Sequence, residues 1–228
     1  MEKNVIITIS RQFGSNGREI GRRLAEYLDI GYYNKEIMEV IAKDLGIDAD
    51  FFREENRNAQ GLYSLPGRNK LSTITELSVN SEVYEKASQL IQGIASRESA
   101  VIVGRCADYI LKEHTPKIRI FFYSNIEDRL AWSIQEYQVP SRKARKFIHE
   151  KDSRRAGFYE FYTGQKWGAS SNYDLMINTS HMTVEEIVGM IAELYDIKLG
   201  TKSFKGAFSD QYLEHKKVSF ADLDDAQS

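Results

Sequence analysis

The sequence predicts an α/β fold built on a largely parallel sheet, and three observations carry that reading. Short apolar runs rich in β-branched residues alternate at least four times with segments of helical periodicity, the pattern of βα units whose strands run parallel. Runs such as Ala100 to Val103 are continuously apolar, as strands covered on both faces are. The 228 residues are 42% hydrophobic and 28% charged, with 15 Gly and only three Pro, so the chain buries a sizeable core without staples.

Val5 to Ile9 reads as the first strand, and Ser10 to Gly17 as a polar loop with two glycines. Ile20, Leu24, Tyr27 and Leu28 then recur at i, i+4, i+7 and i+8, an apolar helical stripe that faces the sheet. Asn16 stands at its N-cap, with Glu19 three residues on in the pattern of a capping box. Ile30 to Tyr33 reads as a short second strand, and Asn34 to Leu45 as a helix ended by Gly46. Residues 48–78 lose periodicity and, with Asn56, Asn58, Gly61, Pro66 and Gly67, read as an irregular insertion.

Val83, Ala87, Leu90, Ile91 and Ile94 restore a helix, and Ala100 to Val103 is a buried strand ending at Gly104. Lys117 to Tyr123 is a strand, Ile126 to Gln135 a helix, Ser141 to about Tyr162 a long basic helical region, and Leu175 to Ile177 a brief strand. Thr183 with Glu186 forms a capping box that opens the last helix, and Met182 and Ile187 are placed for the hydrophobic staple. Residues 1–200 are expected to form one domain. Beyond Gly200 the pattern fades into an acidic end at Asp222, Asp224 and Asp225, so 201–228 reads as a tail.

Composition narrows the function classes. Cys106 is the single cysteine, which excludes an internal disulfide, and the opening residues have no apolar leader, so a cytoplasmic setting is expected. No apolar run approaches bilayer length, so no membrane partner is expected. Lys plus Arg number 31 against 33 Asp plus Glu, a formal charge of −2, which argues against a whole-chain nucleic-acid binder. Phosphate chemistry therefore has to be local. The four histidines are scattered without ligand spacing, and metal ligands stay unassigned.

The local candidate is the stretch between the first strand and first helix. In open parallel sheets the site lies at the carboxyl ends of the strands. Gly14 and Gly17 there let backbone N–H groups converge on an anion, and the helix N-terminus adds partial positive charge. A glycine-rich turn with no ligand is the competing reading. Arg11, Arg18 and Arg22 tilt it, because guanidinium forks match phosphate oxygens. The candidate phosphate-holding residues are Arg11, Gly14, Ser15, Asn16, Gly17, Arg18 and Glu19.

Four segments together resemble the cytidylate kinase-like family of P-loop nucleoside monophosphate kinases. Residues 9–21 (Ile-Ser-Arg-Gln-Phe-Gly-Ser-Asn-Gly-Arg-Glu-Ile-Gly) are similar to its phosphate loop, and 101–108 to its Gly-Arg motif after the third strand. Residues 151–155 (Lys-Asp-Ser-Arg-Arg) are similar to its lid motif, and 173–180 to its last strand. The match runs from residue 4 to about 197. It implies a P-loop kinase-type parallel sheet of about five strands, helices on both faces and a helical lid at 141–165. In the general pattern G-x-x-x-x-G-K-[ST] the lysine holds the β/γ-phosphates and the hydroxyl helps hold magnesium. This chain has Arg11 at the first glycine, Gly17 at the lysine and Arg18 at the hydroxyl.

The resemblance implies ATP and Mg2+ as cofactors, nucleotide substrates and no nucleic-acid partner. It implies that Arg105, after Gly104, contacts the acceptor nucleotide, with Asp108 as a candidate carboxylate for magnesium. The family's pattern puts that Asp directly after Gly-Arg, where this chain has Cys106, a residue that reads better as a small buried hydrophobe than as a nucleophile. Asn34 and Lys35 fall where the acceptor arm begins. They equally suit a helix cap. Ser141 to Arg155 carries seven Lys or Arg against Glu150 and Asp152, the charge a lid needs to close over polyphosphate, although a solvated basic face would look the same. Arg154 and Arg155, with Arg18, are the candidate transition-state clamps, and Asp152 orients one of them. The aromatics Phe158, Tyr159, Phe161, Tyr162 and Trp167 suit core packing better than base stacking. The expected function is transfer of the ATP γ-phosphoryl group to a nucleoside monophosphate, CMP or dCMP first. The alternative is a nucleotide-binding sensor or scaffold without turnover.

Overall fold

The computed structural model of the chain describes residues 4–34 and 70–202. Five strands, β1 (Ile6–Arg11), β2 (Gly31–Tyr33), β3 (Ala100–Val103), β4 (Lys117–Tyr123) and β5 (Leu175–Asn178), form one sheet in the order β2-β3-β1-β4-β5. Every pairing is parallel, with Ile6 beside both Ala100 and Lys117. The expected α/β fold is therefore the observed one. The helices around the sheet are α1 (Gly17–Leu28), α2 (Lys70–Arg97), the one-turn α3 (Ala107–Ile110), α4 (Ile126–Tyr137), α5 (Ser141–Thr163) and α6 (Val184–Leu199).

Strand alternation divides the core in two. Side chains of successive strand residues point to opposite faces. Ile7, Ile9, Val101 and Val103 accordingly join α1 and α6 on one face, through Ile20, Leu24, Ile187 and Ile191. Ile6, Ala100 and Ile102 join α2 on the other, through Ala87, Leu90, Ile91 and Ile94. Burying Ile6, Ile7, Ile9, Ile102 and Ile118 almost completely stabilises the sheet by roughly 2 kcal/mol per side chain, before conformational entropy is set against it.

Several boundaries differ from expectation. Tyr27 is 70% exposed, whereas Gly17, Gly21 and Ala25 are buried. The small residues rotate the stripe past Ile20 and leave Tyr27 at its edge. Residues 70–78, expected to be irregular, are the first turns of α2. The rest of that stretch, the helix read over 35–45 and the tail after 202 lie outside the described residues. The capping box of α6 is present, with Thr183 accepting from the Glu186 N–H and Glu186 from the Thr183 N–H. Met182 packs on the cluster that holds Ile187.

Candidate active site at the carboxyl ends of the strands

β1 runs two residues further than its apolar run. Ser10 pairs with Phe121 and Arg11 with Phe122, so Arg11 ends a strand and does not lie in a loop. The turn that follows needs left-handed backbone at Gly14 (φ 80°) and Asn16 (φ 57°). A methyl on Gly14 would sit 3.2 Å from the Arg129 backbone. Ser15 is buried, and its hydroxyl donates to the Gln12 carbonyl at 2.9 Å. The expected capping box at Asn16 is absent. An N-cap side chain reaches back to the first-turn N–H groups from extended backbone, which a left-handed Asn16 does not supply. Glu19 instead accepts from Arg22 Nε and Arg23 Nε, each at 2.9 Å, and these hydrogen bonds, Arg22 first, hold its carboxyl down at about 2.

The turn is clamped from α4 and α5. The Phe13 N–H donates to Asp152 Oδ1 at 2.7 Å, and the Phe13 carbonyl accepts from Arg129 Nε at 2.7 Å. Arg129 and Asp152 also pair directly, with side chains 8% and 18% exposed. Arg155 Nη1 donates to the Arg11 carbonyl at 3.0 Å and lies 3.8 Å from Asp152 Oδ1. The Phe13 ring meets Trp132, Tyr137 and Phe147 edge-on at 5.2 to 5.5 Å between centroids. The basic helix thus places one carboxylate and one guanidinium on the backbone of the turn.

Above the turn opens a cleft of about 390 Å³. Of the residues the sequence singles out, Arg11, Gly14, Asn16, Gly17, Arg18, Glu19, Asn34 and Arg155 line it. Its lining carries four arginines, counting Arg22, against Glu19 and Glu136, a local positive excess in a chain of net charge −2. Arg105 lines a smaller cavity beside it, shared with Arg11 and Arg155. Gly104, Arg105 and Cys106 are all left-handed, at φ 83°, 61° and 55°, which turns the chain inward at the end of β3 and leaves Arg105 only 7% exposed.

Other candidates stand apart. Ser15, Asp152, Arg154 and Asp108 line neither cavity. Asp108 is buried, accepts from the Tyr159 hydroxyl at 2.6 Å, and has its carboxyl pushed up by burial. Tyr162 stacks on Tyr84, and Trp167 meets the Phe121 ring edge-on. Lys35 lies outside the described residues. Among the described residues no group of three His, Cys, Asp or Glu is placed to hold a metal ion, and no helix is long and apolar enough to cross a membrane.

Sequence reasoning missed Arg129, Trp132 and Tyr137. A signal existed for the first. Arg129 and Ser133 sit one helical turn apart on the buried side of α4, where an unremarkable amphipathic helix would carry apolar residues. Trp132 and Tyr137 read as ordinary helix packing, and only the fold brings them to the cleft.

Comparison with known proteins fits this architecture. A solved structure of an uncharacterized protein from Eubacterium ventriosum matches with 25% identity and a TM-score of 0.65, covering 85% of this chain and 99% of that one. Shikimate kinase from Bacteroides thetaiotaomicron shares the fold at 13% identity and a TM-score of 0.51, covering 84% of this chain and 98% of that one. No curated protein matches significantly. The model of the cytidylate kinase-like family matches residues 6–181, a span that takes in all five strands, the turn after β1 and the basic helix α5, and the chain belongs to that family.

Proposed function

We propose that the protein is a small-molecule kinase that transfers the γ-phosphoryl group of ATP to a nucleoside monophosphate, with CMP and dCMP as the first acceptors to test. One observation carries the reading: in a member of the cytidylate kinase-like family, Arg11, Arg18 and Arg155 converge on the turn after β1 in a single cleft. Phosphoryl transfer needs positioning and charge stabilisation more than covalent chemistry, so arginines suffice as residue types.

The donor's phosphates would lie over Gly14 to Arg18, at the N-terminus of α1, with Asn34 on the acceptor side of the cleft. An acceptor phosphate oxygen attacks the γ-phosphorus as its bond to the β–γ bridging oxygen breaks. Arg18 and Arg155, which line the cleft, neutralise the charge that spreads over the equatorial oxygens, and Asp152 holds Arg155 against the turn. The acceptor oxygen is already anionic, so no general base is needed.

Magnesium fits less well. Arg18 stands where the usual loop hydroxyl would be, Glu19 is held by two arginines, and Asp108 is buried beneath Tyr159. This feature and the missing loop lysine favour a second reading, a nucleotide-binding sensor or scaffold without turnover.

An ADP-release assay separates the two. With ATP, Mg2+ and a panel of nucleoside monophosphates, plus shikimate as an unrelated acceptor, turnover is expected with one monophosphate. The Arg154→Ala, Arg155→Ala double variant should lose about 100-fold or more in kcat. ATP binding seen by calorimetry with no ADP release from any acceptor would support the second reading instead.

A further inference from the structure

Arg11 and Gly17 stand in the reverse order of the general phosphate-loop pattern, in which a glycine comes first and a lysine six residues later. That order has a steric cause. Ile7, Ile9 and Arg11 share one face of β1, so the Arg11 side chain leaves the sheet on the side where α1 begins. There it runs past Gly17. A methyl on Gly17 would lie 2.9 Å from Arg11 Cβ and 3.2 Å from Cγ, closer than packed carbons come. Gly17 is helical, with no left-handed backbone to explain a glycine, so crowding excludes a side chain there, from Arg11 first and also from the buried Phe122 ring, whose Cδ2 would lie 3.1 Å from the methyl.

At the far end of Arg11 stands a second glycine, Gly104, whose left-handed backbone (φ 83°) favours glycine on its own account. A methyl on Gly104 would lie 2.5 Å from Arg11 Nη1, so the guanidinium passes over the Gly104 Cα at the end of β3. Arg11 lines both the main cleft and the small cavity that holds Arg105, and Arg155 fixes its backbone through the carbonyl. Two glycines, one on α1 and one after β3, thus leave the path of a single arginine open.

We propose that Arg11 is the phosphate-clamping cation of this site, taking the place of the absent loop lysine from the opposite end of the loop. The proposal rests on the kinase reading above and deepens it. An arginine fork can bind two phosphate oxygens at once, where a lysine offers a point charge. It also accounts for the loop's lacking a lysine: in this backbone the stem of Arg11, together with the Phe122 ring, crowds out a side chain at 17.

The test uses the full chain and three variants, read by ATP calorimetry, by kcat and KM for ADP release, and by thermal unfolding. Arg11→Met keeps the stem but removes the charge. It should unfold within a few degrees of wild type yet lose about 100-fold in kcat, a loss that a merely packing role would not produce. Gly17→Lys alone should be strongly impaired or unfolded, because the new side chain meets both the Arg11 stem and the Phe122 ring. Arg11→Gly with Gly17→Lys restores the usual order and removes the two Arg11 contacts, leaving the Phe122 ring to shift by a few tenths of an ångström, so it should be measurably more stable than Gly17→Lys alone and bind ATP more tightly than that variant. Full activity in Arg11→Met, or an unaffected Gly17→Lys protein, would overturn the proposal. So would a double variant no better than Gly17→Lys. Failure of the wild type itself to bind ATP would sink the kinase reading and this inference with it, whereas wild-type turnover with an active Arg11→Met variant would sink the inference alone.

Discussion

Asp152 is a positioning residue, and its geometry says what it positions. One oxygen accepts from the Phe13 N–H at 2.7 Å and the other pairs with Arg129, whose side chain is 8% exposed. Removing one member of a buried pair leaves the other charge uncompensated. Asp152→Ala should therefore lower the unfolding free energy by about 3 kcal/mol, measured by urea denaturation, an effect much larger than an exposed lid carboxylate would show. Arg129 has no counterpart among the residues that the motifs pick out. Its role was legible only as a polar residue on the buried face of an otherwise ordinary helix. Arg11, by contrast, was legible as a candidate, but its course past two glycines was not, because that depends on strand register and on the approach of β3.

At the scale of elements, the turn after β1 is held by aromatic packing as well as polar bonds. Phe13 is 5% exposed and joins α4 and α5 through Trp132, Tyr137 and Phe147. Phe13→Ala should cost about 3 kcal/mol or more and raise KM for ATP well beyond its effect on kcat, as steady-state kinetics would show. A KM unchanged in a stably folded variant would detach the turn from nucleotide binding. The strands that surround this turn were legible because each is a short apolar run, and β3 and β4 begin and end where the pattern does. β1 was read short because Ser10 and Arg11 are polar, yet their backbone pairs with β4 regardless of side chain. The capping box at Asn16 was misread for a related reason: sequence spacing shows which side chains can meet, not the backbone conformation from which they must reach.

The whole molecule couples stability to alkaline pH through phenols that folding buries wholly, at Tyr159 and Tyr173, or in part, at Tyr33, Tyr84 and Tyr162. Burial, with the Glu98 hydrogen bond adding to it at Tyr33, pushes Tyr33, Tyr162 and Tyr173 up to about 12. Burial also raises Tyr84 and Tyr159. Between the unfolded value of 10.0 and about 12 the folded chain keeps protons that the unfolded chain has released. Unfolding there liberates protons, so stability is fully present below pH 10 and falls as pH rises. Guanidinium midpoints measured from about pH 9 to about pH 11 should decline beyond about pH 10, and a flat profile would contradict this burial.

The central claim is that a family member with no loop lysine still moves a phosphoryl group, using arginines from the end of β1, the start of α1 and α5. Phosphorus NMR of the full chain with ATP, CMP and Mg2+ tests it most directly, because it identifies products and not merely ATP loss. Growth of ADP and CDP resonances as the ATP γ-signal declines, abolished in the Arg154→Ala, Arg155→Ala variant, is the expected result. An ATP spectrum unchanged over hours with CMP and with every other nucleoside monophosphate, in a protein that binds ATP, would contradict it.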